Sequence, residues 1–241
     1  MNVIINDRTI RRNAKIGSYL LLAAFVLMGV SIYVAWRNQD LTMFSDETKF
    51  WIMFGTLLVG FIAAQVSNFF TNRFGRRPRP DEILTSNLKG LTRDYTLYAY
   101  MSPVNYLLIG PAGVWIIEPY YQRGKISFQK GRWQQKGGGL AVSYGKIFGT
   151  EGLGRPDLEL KADVDTLTGE FKKSFGDDAP PINSVLVFYD PRAELEVEDA
   201  PIPAMKAKDL KEFLRKYAKE HPCPAAEIKR ITAALPEESI E

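Results

Sequence analysis

Two uninterrupted apolar runs near the start of the chain, residues 16–36 and 50–70, constrain its folding more than any other feature. Neither contains a charged side chain, and each is as long as the roughly 20 residues that carry a helix across the hydrocarbon of a bilayer. A helix in a soluble core shows a polar stripe at helical period, and these runs offer only scattered Ser, Gly and Gln. The first run follows a basic segment as a secretory leader does. It is expected to persist as a span, because it exceeds the roughly 7–15 apolar residues of a leader. It also closes on Val34-Ala35-Trp36-Arg37, without a small-x-small cleavage site.

Basic residues flank the pair asymmetrically. Arg8, Arg11, Arg12 and Lys15 precede the first run, and Arg73, Arg76, Arg77 and Arg79 follow the second. The stretch between them carries three acids, Asp40, Asp46 and Glu47, and basic residues only at its ends. Lys and Arg are retained on the cytoplasmic side of short spans, so both termini are expected inside. The expected organisation is a basic cytoplasmic N-terminus (1–15), spans at 16–36 and 50–72 joined by an external loop (37–49), a basic linker (73–80) and a cytoplasmic domain (81–241). Arg73, Arg76, Arg77 and Arg79 then lie at the membrane interface, where each attracts anionic headgroups by about 1 kcal/mol. Gln65, Ser67 and Asn68, near the inner end of the second span, are expected to be helix-pairing or interfacial groups.

The whole chain has 31 basic and 28 acidic residues, a net charge of +3, and a mean hydropathy of −0.15. That average hides two materials: residues 1–80 hold ten Lys/Arg against four Asp/Glu, and the remainder carries −3. A net acidic domain argues against a general nucleic-acid binder. The single Cys223 excludes an intramolecular disulfide, and with the single His221 it excludes a zinc site built from Cys and His. Both sit in a proline-flanked loop segment with no base placed beside them. Carboxylate metal chemistry is what remains.

The domain is expected to be α+β, a central mixed sheet flanked by helices. An apolar stripe at Ile83, Leu84, Leu88 and Leu91 predicts an opening helix, with Asp81 and Glu82 at its positive end. Strands are predicted at 95–101, 105–109 and 114–118, separated by Ser102-Pro103 and by Gly110-Pro111-Ala112-Gly113, with 125–128 and 132–134 continuing the sheet. Helices at 156–175, 208–219 and 225–235 surround a buried strand at 184–189. Residues 137–154 contain seven glycines and read as a loop. It is not a phosphate-binding loop, because five residues separate Gly139 from Gly145 and Lys146 is followed by Ile147.

The segment from Asn105 through Gly110-Pro111-Ala112-Gly113-Val114-Trp115-Ile116-Ile117-Glu118, with Glu82-Ile83-Leu84 before it and Gly124-Lys125-Ile126 and Trp133 after it, resembles the nuclease-related domain (NERD) family. The resemblance implies a restriction-endonuclease-like fold. It also implies a site in which an Asp and a Glu on adjacent strands hold a divalent cation and a Lys two residues beyond the Glu serves the attacking water. Glu82 and Glu118 match the family acids. Asn105 stands in place of the Asp, Tyr120 in place of the Lys, and Arg155-Pro156-Asp157-Leu158-Glu159 in place of Asn-Pro-x-x-Gln. An amide brings no negative charge to Mg²⁺ and a phenol supplies no cation. Lys125 or Arg123 is open as a migrated cation and Glu159 as a replacement carboxylate. The expectation is therefore a domain that has lost catalysis and acts as an interaction or scaffolding module, with no cofactor. Two alternatives are a nuclease using Mg²⁺ or Mn²⁺ at Glu82 and Glu118, and an accessory subunit of a larger membrane complex. The expected partners are the lipid bilayer and either an unidentified protein or a second copy of the chain, with nucleic acid not favoured.

A second surface is suggested by residues 119–150, which hold Arg123, Lys125, Lys130, Arg132, Lys136 and Lys146 and no acid, interleaved with Tyr121, Phe128, Trp133 and Tyr144. Such a stretch suits phosphates and bases, the anionic leaflet, or plain solvent on one face of a hairpin.

Overall fold

Alternation along the central strands decides the layering. In β2 (Thr96–Ala99) and β3 (Tyr106–Gly110) every residue is buried, as are most in β4 (Gly113–Tyr120) and β7 (Ile182–Phe188), because successive side chains enter opposite cores. Leu107, Ile109, Val114, Ile116, Leu186 and Phe188 pack on one face against Leu160, Leu167 and Phe171 of α4 (Pro156–Phe175) and Ile228 and Ile231 of α6 (Ala225–Thr232). Leu97, Leu108, Trp115, Ile117, Val185 and Val187 pack on the other against Leu84 and Leu88 of α3 (Pro80–Leu88) and Leu210 and Leu214 of α5 (Ala207–Glu220). The computed structural model describes residues 1–37, 47–136, 152–197 and 200–240, and within these the fold is mixed α and β.

The chain divides into two units, one of Met1–Thr9 with most of the residues from Pro80 onward, the other Ile10–Arg79. The first holds a six-stranded sheet in which β1 (Asn2–Ile5), β2, β3, β4, β7 and β9 (Ala204–Lys206) lie side by side in that order. β2, β3 and β4 form an antiparallel meander, and β7 runs parallel to β4, with α4 in the connection. β9 (Ala204–Lys206) adds parallel to β7. The opposite edge is β1 (Asn2–Ile5), parallel to β2 and about ninety residues from it in sequence, so the extreme N-terminus belongs to the domain's own sheet. The C-terminal segment closes on β1: Ile240 N–H donates to the Ile5 carbonyl at 3.1 Å, and Asp7 N–H to the Ile240 carbonyl at 2.8 Å.

The expected continuation of the main sheet through residues 125–134 is corrected. β5 (Gly124–Gln129) and β6 (Arg132–Lys136) form a separate three-stranded sheet with β8 (Ala193–Glu196). Both edges of β4 are already occupied, by β3 and, over residues 114–120, by β7, so the next strand has no edge to join.

Two glycines are dictated at the β3–β4 turn. Gly113 has φ +85°, and a Cβ on Gly110 would run into the Tyr95 ring. Gly110→Ala is expected to destabilise the sheet unit by about 1–3 kcal/mol, the usual cost of overpacking, read as a fall in melting temperature with the spectrum of the native fold retained.

The second unit is a pair of helices, α1 (Asp7–Arg37) and α2 (Glu47–Phe70), the latter continuing into a π-helical turn at Thr71–Gly75. α1 therefore begins nine residues before the apolar run, and the expected linker shortens, because Pro80 already opens α3. Most of the expected external loop, residues 38–46, lies outside the described residues. The buried positions of α1 within the apolar run are Gly17, Ala24 and Ser31, at seven-residue steps, and those of α2 are Gly60 and Ser67. Seven residues are two helical turns to within about 20°, so the small residues form one seam. Ser67 Oγ donates to the Gly17 carbonyl at 2.8 Å, as the sequence suggested for a pairing group, and the Ser31 and Thr56 hydroxyls meet at 2.6 Å. The large side chains point away from this seam. Tyr19, Leu22, Phe25, Ile32, Trp51 and Ile62 are exposed, and only 11% of the most apolar window of each segment is buried. Both are long and apolar enough to cross a membrane.

Candidate functional site

The family positions lie where α3 begins, β3 starts and β4 ends. Pro80 opens α3 with a residue that needs no N–H partner, and Asp81 and Glu82 follow at the positive end of the helix. Of these two acids it is Asp81 that is buried, at 1% exposure, while Glu82 is half-buried. The β3–β4 register pairs Leu107 with Ile116. Asn105 lies just before β3, outside the paired strand, and Glu118 lies on β4 two residues beyond the last pair of that register. Asn105 also accepts the Tyr100 N–H on its carbonyl at 2.8 Å.

Two tyrosines that sequence reasoning missed complete this corner. The Tyr100 and Tyr106 hydroxyls hydrogen-bond to each other, and their rings meet edge to face with centroids 5.1 Å apart. Burial, then the Tyr100 hydroxyl, then the charges of Asp81 and Glu118 hold the Tyr106 phenol well above its ordinary pKa, so it stays protonated. The signal that could have found them is their position: Tyr100 directly follows β2, and Tyr106 opens β3.

Tyr120, at the place of the family's Lys, is buried with its ring stacked on Phe188 (centroids 5.5 Å, 28° between planes). Its hydroxyl donates to Glu159 Oε2 at 3.0 Å. Glu159 lies in the first turn of α4, and a Cβ on Gly154 would stand 3.0 Å from its other oxygen. The one carboxylate open to replace the family's Asp is thus tied to the phenol that replaces the Lys. Among the described residues no three His, Cys, Asp or Glu side chains gather as a metal site. Mg²⁺ leans on carboxylates among its oxygen ligands; of the family's ligand positions Glu82 and Glu118 are carboxylates, while Asn105 supplies only an amide. Tyr120→Phe is expected to cost about 0.5–1.5 kcal/mol, the net worth of one hydrogen bond, measured as a small drop in melting temperature.

The basic stretch changes character once folded. Residues directly opposite in a sheet share a face. One row runs Lys136, Lys125, Glu194, and two residues along a second runs Gln134, Ser127, Glu196. Lys125 Nζ bonds Glu196 at 2.7 Å, and the Arg123 charge helps to hold the Asp190 carboxyl below its ordinary pKa, after the larger effect of the Arg192 hydrogen bond. Lys125, Arg132 and Lys136 therefore share their face with two acids, while Lys130 stands at the turn with φ +51°. Ile126 and Trp133 are buried, with Phe128 packed against that core. Tyr121 is half-buried, and Lys146 and Tyr144 lie outside the described residues.

Elsewhere, Arg73 lays its guanidinium 4.2 Å over the Phe69 ring, Arg76 and Arg77 are exposed, and Arg79 is half-buried. Burial and the charge of Glu227 push the Cys223 thiol up, the opposite of activation. An open cleft of about 580 Å³, lined by Leu195, Val197, Ala204, Met205, Lys206, Lys208 and Asp209, shares no residue with the family positions. Comparison of the chain with protein-family models, with curated proteins and with solved structures finds no match.

Proposed function

We infer that the chain is a membrane-anchored protein whose sheet unit is a cytoplasmic nuclease-related domain without catalysis, working as an interaction or scaffolding module. Anchoring is supported by the outward-facing apolar side chains of α1 and α2, which in water would expose far more contiguous apolar surface than a soluble protein carries. A hairpin topology is supported by β1. It precedes the first helix yet pairs with β2, which follows the second, so both ends of the hairpin belong to one side of the membrane. The flanking arginines and lysines make that side the cytoplasm.

The loss of catalysis rests on one observation, the hydrogen bond from Tyr120 to Glu159. In the family's scheme the side chain two residues after Glu118 supplies a cation toward the reacting phosphate. A phenol that spends its proton on a carboxylate of α4 is a strut between β4 and that helix. The partner is a protein or a second copy of this chain, since the mixed charge on the β5–β6 face gives a nucleic acid no continuous basic track.

The full-length protein in mild detergent, given plasmid or RNA with Mg²⁺ or Mn²⁺, is expected to leave both intact. Cleavage that disappears in Glu118→Ala would instead establish a metal-dependent nuclease.

A further inference from the structure

The helix pairing brings two basic clusters to the same end of the hairpin. Gly17 packs on Phe70 and Thr71, with a Cβ placed there only 3.0 Å from Phe70 Cβ. Arg11, Arg12 and Lys15 thus lie within two turns of that contact on α1, and Arg73 and Arg76 just past it on the other chain segment. Arg11, Arg12, Lys15 and Arg76 are exposed. The only described acid in residues 10–79 is Glu47, at the opposite end. Arg11 with Lys15, and Arg12 with Lys15, are like charges at helical spacings that repel each other. No ion pair within the described residues relieves them. The same end borders apolar surface directly: Ile16 and Tyr19 are exposed at 37% and 69%, and Arg73 lies over the half-exposed Phe69 ring. A ligand for this collar has to be anionic where it meets the guanidinium groups and apolar immediately beyond them.

We propose that the base of the hairpin, formed by Arg11, Arg12, Lys15, Arg73 and Arg76, is a binding collar for the phosphates of anionic phospholipids. The proposal rests on the membrane-anchored reading and adds a lipid preference to it. A nucleic acid meets the charge requirement but not the apolar one. Long basic side chains lay their stems along the exposed helix surface and hold their heads at headgroup level. Each basic residue that reaches an anionic surface strengthens association by about fivefold at low salt, and the effect fades as the Debye length shrinks.

The full-length protein is reconstituted in phosphatidylcholine bilayers containing trace spin-labelled phosphatidylglycerol or phosphatidylcholine, and the motionally restricted fraction of each probe is compared. The expected result is a severalfold preference for phosphatidylglycerol at low salt. It should fall toward unity in 0.5 M salt and in a variant carrying Arg11→Gln, Arg12→Gln, Lys15→Gln, Arg73→Gln and Arg76→Gln, and it should persist when the four arginines are replaced by lysine. Equal preference in the wild type and the glutamine variant overturns the proposal. So does a labelled oligonucleotide that displaces the phosphatidylglycerol probe and binds the collar more tightly. Insertion is read separately, by flotation with neutral vesicles. Protein that fails to float overturns the membrane reading itself, whereas protein that floats without lipid preference overturns only the collar.

Discussion

Replacing residues 10–79 with a long glycine–serine linker is expected to yield a soluble sheet unit that unfolds cooperatively, while a chain beginning at Pro80 is expected to aggregate or lose its fixed tertiary packing. The two differ only in residues 1–9 and the linker. β1 contributes four paired positions along β2, from Asn2 with Thr96 to Ile5 with Ala99. Met1, Val3 and Ile5 pack on the core that holds α3 and α5, and Ile4 on the core that holds α4. A fully buried aliphatic side chain is worth about 1.5–3 kcal/mol, so even these half-buried ones sum to several kcal/mol. That is a large part of the roughly 5–15 kcal/mol that holds a domain together. Removing β1 also bares the edge of β2, a strand whose residues are all buried, and leaves Ser239 and Ile240 without their partners on Ile5 and Asp7. An unprotected apolar edge recruits other strands. Circular dichroism melts and size-exclusion profiles of the two proteins check the expectation. A monomeric 80–241 fragment melting at the same temperature as the linked protein would show that β1 is dispensable.

The same strand marks the limit of what residue patterns disclose. The β2–β3–β4 meander, α4 and β7 are written locally. Aromatic and β-branched runs alternate with Pro and Gly turns, and α4 starts at Pro156 and stops at Gly176, where Gly takes φ +62°. β1 has an equally strand-like sequence in Asn2–Ile5, but its partner lies about ninety residues away, beyond both apolar helices. No local pattern names a partner at that separation. β8 and β9 were hidden for a related reason: at four and three residues they are too short for periodicity, and pairing with β5 and β7 alone makes them strands. The site divides in the same way. Motif spacing singles out Glu118, Tyr120 and Glu159, yet the bond between the last two depends on α4 crossing to the end of β4, and the burial of Asp81 rather than Glu82 depends on how α3 is turned. For the basic stretch, linear charge leaves out what the strand next door adds. Glu194 and Glu196 stand about seventy residues from Lys125 in the chain and beside it in the sheet.

Gly60→Leu is expected to break the α1–α2 pair, whereas Gly29→Leu is expected to leave it intact. Both glycines sit within apolar helix, and both substitutions raise helix propensity, so propensity cannot separate them. Space does. A Cβ on Gly60 would lie 3.1 Å from Met28 Cγ, 3.2 Å from Leu27 Cβ and 3.3 Å from the Ala24 carbonyl, while a Cβ on Gly29 meets nothing within 4 Å. The branched remainder of a leucine at residue 60 must push α1 away, and if the pair spans a bilayer, as proposed, it has no hydrophobic drive to close the gap, because lipid solvates the parted faces as well as they solvate each other. The hydroxyl contacts at either end are too weak to resist: interhelical hydrogen bonds in membranes average about 0.6 kcal/mol, against about 1–3 kcal/mol for overpacking. Proximity of Ser31 and Thr56, whose hydroxyls are 2.6 Å apart, supplies the readout. With Cys223 replaced by alanine, a Ser31→Cys, Thr56→Cys protein is expected to cross-link under mild oxidation in the wild-type and Gly29→Leu backgrounds and to stop doing so with Gly60→Leu. Cross-linking that survives Gly60→Leu would mean that residues outside the small-residue seam hold the helices together.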